Sequence, residues 1–273
     1  MQDQWARWLD PVRALAAEAS ERILAIYATA FAVTAKDDRS PLTAADLAAH
    51  RVIVAGLHRL TPEIPVLSEE SAAIPFAERT NWRRYWLVDP LDGTKEFVQR
   101  NGQFTVNIAL IEGHEAVFGV VRAPVTGVCY FAARGLGAFC QEPGQPPQPI
   151  AVKPLRAGEP VHVVGSKSHG GPKLQKFAAK LQAHELVTLG SSLKFCQVAA
   201  GSADVYPRFG PTSEWDTAAA QAIVEAAGGQ VVSMETGQPL RYNTKEPLLN
   251  PPFIVYGDAG CDWLSYVPPE DRV

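Results

Sequence analysis

The chain has 273 residues, of which 47% are hydrophobic and 20% charged, and its formal net charge is −4. This length and composition predict a globular protein made of one large domain or two ordinary ones. The negative net charge argues against a nucleic-acid polymer as partner, because non-specific nucleic-acid binding needs a basic face. Neither low-complexity tracts nor internal repeats are visible in the sequence.

The cysteines and the N-terminal segment bear on the compartment of the protein. The four cysteines are far apart in the sequence and lack C-x-x-C spacing, which predicts free thiols in a reducing compartment. Residues 1–20 lack the basic-then-apolar order of a signal peptide. No apolar stretch reaches the roughly 18–20 residues that span a bilayer. The sequence therefore predicts a cytoplasmic protein, and it leaves open a peripheral attachment to the inner membrane.

The first half of the chain predicts two helices followed by strands. Apolar residues recur at helical spacing from Trp5 to Ala30, and a second helix is expected from Thr43 to the residue before Pro62. Two short strands and three longer apolar or alternating segments follow, and the turns between the longer segments predict an antiparallel meander. The predicted strands are Ile64–Leu67, Tyr85–Val88, Phe104–Ile111, Ala116–Arg122 and Val128–Ala133.

A proline-rich segment separates this half from the rest of the chain. Pro143–Pro154 contains five prolines and little periodicity, so we predict a boundary between an N-terminal unit, residues 1–148, and a C-terminal unit, residues 149–273. Beyond the boundary strands and helices alternate, which predicts a layered α/β unit. The predicted strands are His162–Gly165, Leu186–Leu189, Asp204–Tyr206 and Gln230–Ser233, and the predicted helices are Leu174–Ala183, Leu193–Ala200 and Thr217–Ala227.

The segment Trp86–Phe97, WLVDPLDGTKEF, ends an apolar run with two aspartates three residues apart. Asp89 and Asp92 flank a Pro-Leu pair, so a sharp turn at the strand end can aim both carboxylates and the carbonyl of Leu91 at one spot. The following Gly-Thr pair offers backbone N–H groups of the kind that hold phosphate oxygens. Taken alone, however, Asp-Pro and Asp-Gly pairs mark ordinary turns.

Two further acidic clusters change that interpretation. The segment Ser68–Ser71, SEES, follows a predicted strand, and Asp216 opens a predicted helix. A lone Glu-Glu pair is usually a solvated surface, and a lone aspartate at a helix start is usually an N-cap. Three such clusters together predict a site for two Mg²⁺ ions, which can hold the attacking and leaving oxygens of an in-line displacement. The predicted ligands are Glu69, Asp89, Asp92, Asp216 and the carbonyl of Leu91.

Other motifs have both a structural and a functional interpretation. Thr43 and Asp46 resemble a capping box at a helix start, and Thr94 fits an ordinary turn. Alternatively, Thr94 and Asp46 orient a nucleophilic water or accept its proton. The segment Gly165–Gly171 superficially resembles a phosphate loop but lacks the G-K-[S/T] ending of an ATP-binding P-loop.

Taken together, these motifs resemble those of the inositol monophosphatase-like, lithium-sensitive, Mg²⁺-dependent phosphatases. The family pattern is an E-E pair, then D-P-x-D-G-T, then W-D at a helix start. All three parts occur here in that order, at Glu69-Glu70, Asp89–Thr94 and Trp215-Asp216. Within the family, the chain is most similar to the CysQ-type 3′(2′),5′-bisphosphate nucleotidases. That similarity extends over nearly the whole chain and includes the segments PLTAADLAAH, VLSEES, FTVNIALI, GSSLKFC and YPRFGPTSEWDTAA.

The resemblance implies a layered αβαβα fold of the α/β class, with the site between two lobes. It implies that two or three Mg²⁺ ions are held by Glu69, Asp89, Asp92, Asp216 and the carbonyl of Leu91. The implied catalytic residues are Asp46 and Thr94, which would activate the water, together with Glu69. Gly93 and Thr94 would bind the scissile phosphate, and Glu70 would act in an outer shell. The further substrate contacts are expected from Glu69, Leu91, Asp92, Asp216, Ser166, His169, Ser192, Lys194 and Arg208.

The resemblance also implies an activity, namely hydrolysis of the 3′-phosphate of adenosine 3′,5′-bisphosphate (PAP) to AMP and phosphate. The sulfated form, PAPS, is a second expected substrate, and the expected role is in sulfur assimilation. Water would attack in line with Mg²⁺ at both reacting oxygens, without a phosphoenzyme. Two alternatives stay open: the same chemistry on inositol phosphate or fructose 1,6-bisphosphate, and a non-catalytic module that senses nucleotide or metal. The expected partner is thus a small phosphorylated molecule, and no oligomeric state is predicted.

Overall fold

A computed structural model of the chain describes residues 2–29, 33–35, 41–156, 158–166, 171–181 and 183–272. The α-helices in these ranges are α1 Gln2–Tyr27, α2 Ala44–Leu60, α3 Phe76–Arg79, α4 Thr94–Val98, α5 Gly171–Ala179, α6 Leu193–Ala199 and α7 Ala218–Ala226. The strands are β1 Val33–Ala35, β2 Pro41–Thr43, β3 Val66–Ser68, β4 Arg84–Asp92, β5 Thr105–Glu112, β6 Glu115–Arg122, β7 Cys129–Ala133, β8 Gly137–Gln141, β9 Gln148–Ile150, β10 Val161–Gly165, β11 His184–Thr188, β12 Val205–Arg208, β13 Gln230–Ser233 and β14 Phe253–Tyr256.

The first large sheet contains the strands β3 to β9 in chain order. β3 runs parallel to β4, and each later pair is antiparallel. Alternate residues of β4 and β5, among them Trp86, Val88 and Ile108, pack with α1 and α2 on one face of the sheet. Trp8 of α1 contacts Trp86 with the ring centroids 5.8 Å apart. The predicted antiparallel meander is therefore confirmed, and the two predicted N-terminal helices cover it.

Helices α6 and α7 separate the other face of this sheet from a second sheet. Leu87 and Ala109 of the first sheet, Ala219 of α7 and Val255 of the second sheet belong to one apolar core. β6 and α7 approach each other so closely that a β-carbon on Gly119 would overlap the carbonyl oxygen of Ala219. A glycine on the strand is therefore what lets the helix backbone come this near.

The second sheet has the strand order β11-β10-β12-β14-β13. β10 runs parallel to β11 and β12, whereas β14 is antiparallel to β12 and β13. On the outer face, Val163 of β10, Phe177 of α5 and Trp263 of a short 3-10 turn form a third core. The layers are thus α1 with α2, the first sheet, α6 with α7, the second sheet, and α5. This confirms the predicted αβαβα fold.

Some elements differ from the sequence-based expectation. β9 lies in the proline-rich segment, where no strand is predicted, and it forms the edge of the first sheet. Pro149 is tolerated there because an edge strand has one side without ladder hydrogen bonds. The predicted boundary between residues 148 and 149 falls within β9, and the division into two units stays a prediction. β14 is not predicted from the sequence either, because it is a segment of four residues that follows two prolines and is too short to show a hydrophobic period.

No helix in the described part of the chain is both long enough and apolar enough to cross a membrane.

Candidate metal and phosphate site

An irregularity at the end of β4 brings the first two predicted ligands together. Asp89 pairs with Asn107 of β5 and Asp92 pairs with Thr105, so β4 contains one residue more than β5 over this stretch. In a regular strand, residues three apart point to opposite faces. The extra residue cancels that alternation, as a β-bulge does. The backbone N–H of Leu91 donates to Asp89 Oδ1 at 3.0 Å and closes the turn.

The third carboxylate, that of Asp216, comes from the opposite side of the cleft. Ser213 and Asp216 form a capping box around the short 3-10 turn Glu214–Asp216, which leads into α7. In this box the backbone N–H of Ser213 donates to Asp216 Oδ2 at 2.9 Å. Asp89, Asp92 and Asp216 each offer one oxygen atom, and these atoms lie within 4.8 Å of one another. The structure thus places three of the predicted ligands around one point.

The electrostatics of the three carboxylates suit a divalent cation. Burial, followed by the charges of Glu69 and Asp92, raises the pKa of Asp89 well above its usual value. Burial and the charge of Asp92 raise the pKa of Asp216 to about 8. The raised pKa values of Asp89 and Asp216 show that their negative charges are costly without a cation. A bound cation would stabilise the charged carboxylates, and its binding would release protons.

The hydrogen bonds to these carboxylates leave room for a cation. Among the described residues, they all fall on Oδ1 of Asp89 and on Oδ2 of Asp92 and Asp216. The second oxygen of each group is therefore available as a ligand atom. Three carboxylate oxygens at this spacing fit a hard cation such as Mg²⁺, which prefers oxygen ligands.

The other site residues predicted in the first half of the chain lie in or near the same cleft. Asp46 is buried in the first turn of α2, and its charge contributes to the raised pKa of Asp89. Glu69, Gly93 and Thr94 line the same cleft, as does Leu91. Gly93 has a φ of 93°, a left-handed conformation that suits glycine, and it leads into α4 at Thr94.

Two further residues named in the sequence analysis are Glu70 and Thr43. Glu70 follows Glu69 in the turn Glu69–Ser71, and its charge partly opposes the lowering of the His50 pKa by burial. The side chain of Thr43 lies outside the described residues, so the capping box predicted for Thr43 and Asp46 stays a prediction.

The cleft has a volume of about 260 Å³ and is lined by basic as well as acidic side chains. Of the residues predicted to contact the nucleotide, Ser166, Ser192, Lys194 and Arg208 line it. His169 lies outside the described residues. Burial lowers the pKa of Lys194 to about 8. The guanidinium of Arg208 donates to the backbone carbonyls of Gly210 and Pro211, at 3.2 and 3.0 Å.

Two residues near Asp92 are absent from the sequence-based prediction. Asn107 Nδ2 and Thr105 Oγ1 each donate to Asp92 Oδ2 at 3.3 Å. The signal for Asn107 is present in the sequence, since a buried amide interrupts the apolar run of β5. A polar side chain within a buried strand needs a partner. The partner is not readable from the sequence, however, because it lies on another strand.

Comparison with known proteins agrees with the fold and identifies the family. Residues 4–256 match the sequence profile of the Inositol monophosphatase family. The 3′(2′),5′-bisphosphate nucleotidase CysQ of Escherichia coli strain K12 is 50% identical over 249 residues, covering 90% of this chain and 98% of the relative. The enzyme of the same name from Haemophilus influenzae is 35% identical over 258 residues, covering 94% and 95% of the two chains.

Solved structures show the same likeness. CysQ from Bacteroides thetaiotaomicron, described as a bacterial member of the inositol monophosphatase family, superposes with a TM-score of 0.77 at 43% identity, covering 89% of this chain and 94% of the other. The IMPase of Thermotoga maritima gives a TM-score of 0.76 at 26% identity, covering 95% and 96%. The chain belongs to the inositol monophosphatase family, and the resemblance to its CysQ-type members is confirmed.

Proposed function

We propose that this chain is a Mg²⁺-dependent 3′(2′),5′-bisphosphate nucleotidase that converts PAP to AMP and phosphate. The observation that carries the proposal is the presence of opposite charges in one cleft: the cluster of Asp89, Asp92 and Asp216 shares it with Lys194 and Arg208. A nucleotide with two phosphates can place one at a cation held by the acids and the other near the basic side chains. The similarity to a CysQ protein at 51% identity supports the same substrate.

In this proposal, Asp89, Asp92 and Asp216 hold Mg²⁺, with Glu69 and the carbonyl of Leu91 as further ligands. When bound, the ion supplies a Lewis acid that offsets the charge of the scissile phosphate. Without a cation, the carboxylates would repel so anionic a substrate, because like charges in a low dielectric interact strongly. The activity should therefore depend strictly on a divalent cation.

The residues of the chain position the reactants. The backbone of Gly93 and Thr94 binds the scissile phosphate, and the left-handed turn at Gly93 presents the start of α4 to the cleft. Thr94 and Asp46 orient the attacking water and accept its proton, for which the burial of Asp46 in α2 is suited. On the other side, Ser166, Lys194 and Arg208 bind the remainder of the nucleotide, together with His169.

The test of the proposal is phosphate release from PAP by the purified protein, with Mg²⁺ and with EDTA. We expect release with Mg²⁺ only, and higher kcat/KM for PAP than for inositol 1-phosphate or fructose 1,6-bisphosphate. PAPS belongs in the same panel as the second expected substrate. Binding of PAP without phosphate release would instead favour a sensing module, and a preference for inositol 1-phosphate would contradict the substrate assignment.

A substitution in the cluster gives the same test a structural control. Asp92→Asn keeps the size of the side chain but removes its charge, so kcat should fall by more than the roughly 10–100-fold that loss of an outer partner of a metal ligand costs. The variant should remain folded by circular dichroism. Asp262→Asn changes an exposed aspartate and should keep wild-type activity. Normal turnover in Asp92→Asn would overturn the assignment of the site.

A further inference from the structure

We propose that Ser192 and Asn107 are positioning residues, which hold the Asp92 carboxylate for the divalent cation and join it to the turn that carries Asp216. The inference rests on the proposed function, because it concerns how the proposed metal site keeps its shape. It gives Ser192 a role other than the nucleotide contact that the family resemblance implies.

The first observation is the set of donors around Asp92. Its Oδ2 accepts hydrogen bonds from the backbone N–H of Ser192 at 2.6 Å and from the Ser192 hydroxyl at 2.9 Å. The amide of Asn107 and the hydroxyl of Thr105 also donate to this atom, both at 3.3 Å. Four donors on one oxygen hold the carboxylate in one orientation. In that orientation Asp92 contributes one oxygen to the cluster with Asp89 and Asp216.

The second observation is the position of the Ser192 hydroxyl between three segments. It lies 2.9 Å from Asp92 Oδ2 and 2.8 Å from the backbone carbonyl oxygen of Asp216. It also accepts a hydrogen bond from Asn107 Nδ2 at 2.9 Å. Asp92 and Asn107 belong to the first sheet, whereas Asp216 precedes α7. One hydroxyl therefore connects the two sides of the proposed metal site.

The third observation is burial. Ser192 and Asn107 are each only 1% exposed. A hydroxyl has one proton and two lone pairs, so the Ser192 hydroxyl shares its proton between Asp92 Oδ2 and the Asp216 carbonyl oxygen and accepts from Asn107 Nδ2. A substrate acceptor would have to displace one of these buried contacts, because the only proton of the hydroxyl is already used. Holding the protein groups in place is thus the role that the contacts support.

The turn that carries Ser192 is itself hydrogen-bonded to the loop that precedes β5. The backbone N–H of Gly190 donates to the side-chain oxygen of Gln103 at 3.0 Å. Ser191, which lies between Gly190 and Ser192, has a φ of 48°, a left-handed conformation that few residues adopt without support. The residues directly before Ser192 are therefore held in place, which helps to fix its position.

The experiment compares Mn²⁺ binding to the metal-free wild type, Ser192→Ala and Asn107→Ala, with the free ion measured by electron paramagnetic resonance. Mn²⁺ is the probe because it shares the preference of Mg²⁺ for oxygen ligands. We expect the Kd for Mn²⁺ to rise by about 10–100-fold in either variant, the usual effect of losing a partner that orients a metal ligand. We also expect a high Mg²⁺ concentration to restore the activity of both variants.

Ser191→Ala is the matched control, because it removes a hydroxyl from the same turn. The Ser191 Oγ is buried and has no hydrogen-bond partner among the residues that the structure describes. Its loss should therefore leave the Kd for Mn²⁺ unchanged. The unfolding midpoint of each metal-free variant is measured alongside, so that a loss of stability is not mistaken for a loss of metal affinity.

The outcomes separate the inference from the function on which it rests. If the wild type binds Mn²⁺ and folded Ser192→Ala binds it equally well, the inference is overturned and the proposed function stands. If Ser192→Ala does not fold, an unchanged Kd in Asn107→Ala overturns the inference just as directly. If the wild type itself binds no Mn²⁺, the inference and the proposed metal dependence both fail.

Discussion

Lys194 lies in the same cleft as the acidic cluster and is the most deeply buried of the basic residues there. Its ammonium group donates to the backbone carbonyl oxygens of Leu189 and Ser191 and lies 5.5 Å from the ring centroid of Tyr206. Burial lowers the pKa of Lys194 to about 8, and the nearby charge of Asp92 opposes that shift. Lys194 is therefore a cation whose charge is lost at a much lower pH than that of an exposed lysine, with a pKa of about 10.4.

This property predicts a pH dependence of substrate capture. Because the pKa of Lys194 in the folded protein is lowered to about 8, the side chain is charged below that pH and neutral above it. We expect kcat/KM for PAP, which reports the free enzyme, to fall as the pH rises through this value. Lys194→Met should have a kcat/KM lower by about 10–100-fold, the loss of a charged hydrogen bond, and no decline there.

The control for this measurement is Lys180→Met, which removes an exposed lysine. Its pH profile should match that of the wild type. A decline in kcat/KM near pH 8 that persists unchanged in Lys194→Met would show that another group titrates, and it would contradict the role of Lys194.

At the scale of elements, the site depends on one close contact between β6 and α7. Asp216 lies in the 3-10 turn that leads into α7, and the backbone of α7 reaches the strand at Gly119, opposite Ala219. Both elements belong to the core that joins the two sheets. The position of Asp216 relative to β4 is therefore set by packing between layers.

A methyl group at this contact should force the layers apart. Gly119→Ala should lower the free energy of unfolding by about 1–3 kcal/mol, the usual cost of overpacking a core, as measured by urea denaturation. Gly210→Ala serves as the comparison, since the nearest atoms to its β-carbon, those of Arg208, lie 3.9 Å away. That variant should keep its stability. An unfolding midpoint of Gly119→Ala equal to that of the wild type would show that the layers can adjust without cost.

A chain of hydrogen bonds from α3 supports the turn before α7. Arg79 of α3 is buried, and its guanidinium donates to Asn243 Oδ1 and to the backbone carbonyl oxygen of Glu246. The backbone N–H of Asn243 in turn donates to Glu214 Oε2 at 2.8 Å. Burial raises the pKa of Glu214 to about 7, which this hydrogen bond partly opposes. A helix of four residues thus contributes, through two contacts, to the segment that carries Asp216.

For the whole molecule, the sequence pattern predicts the long strands better than the short ones. The strands β4 to β7 are predictable because each is a long apolar or alternating run between turn residues. β9 and β14 are not, since one contains Pro149 at a sheet edge and the other is a run of four residues. The layer order αβαβα follows from the family resemblance, and the three cores confirm it.

In the site, too, features formed by neighbouring residues are predictable from the sequence, whereas contacts between residues far apart in the chain are not. The turn after Asp89 is predictable, because the residues that make it are neighbours in the chain. The contacts of Ser192 with Asp92 and Asn107 are not, because these pairs are 100 and 85 residues apart and no local pattern records them. The roles of the predicted metal, catalytic and nucleotide-binding residues stay predictions until they are measured.

The central claim is that acids from different layers of the fold share a divalent cation at the point where phosphate is cleaved. The most direct test is an anomalous difference map from crystals of the protein soaked in Mn²⁺ at a concentration that supports phosphate release from PAP. We expect at least one peak bounded by the carboxylate oxygens of Asp89, Asp92 and Asp216. A map from active protein with no peak at this cluster would contradict the claim.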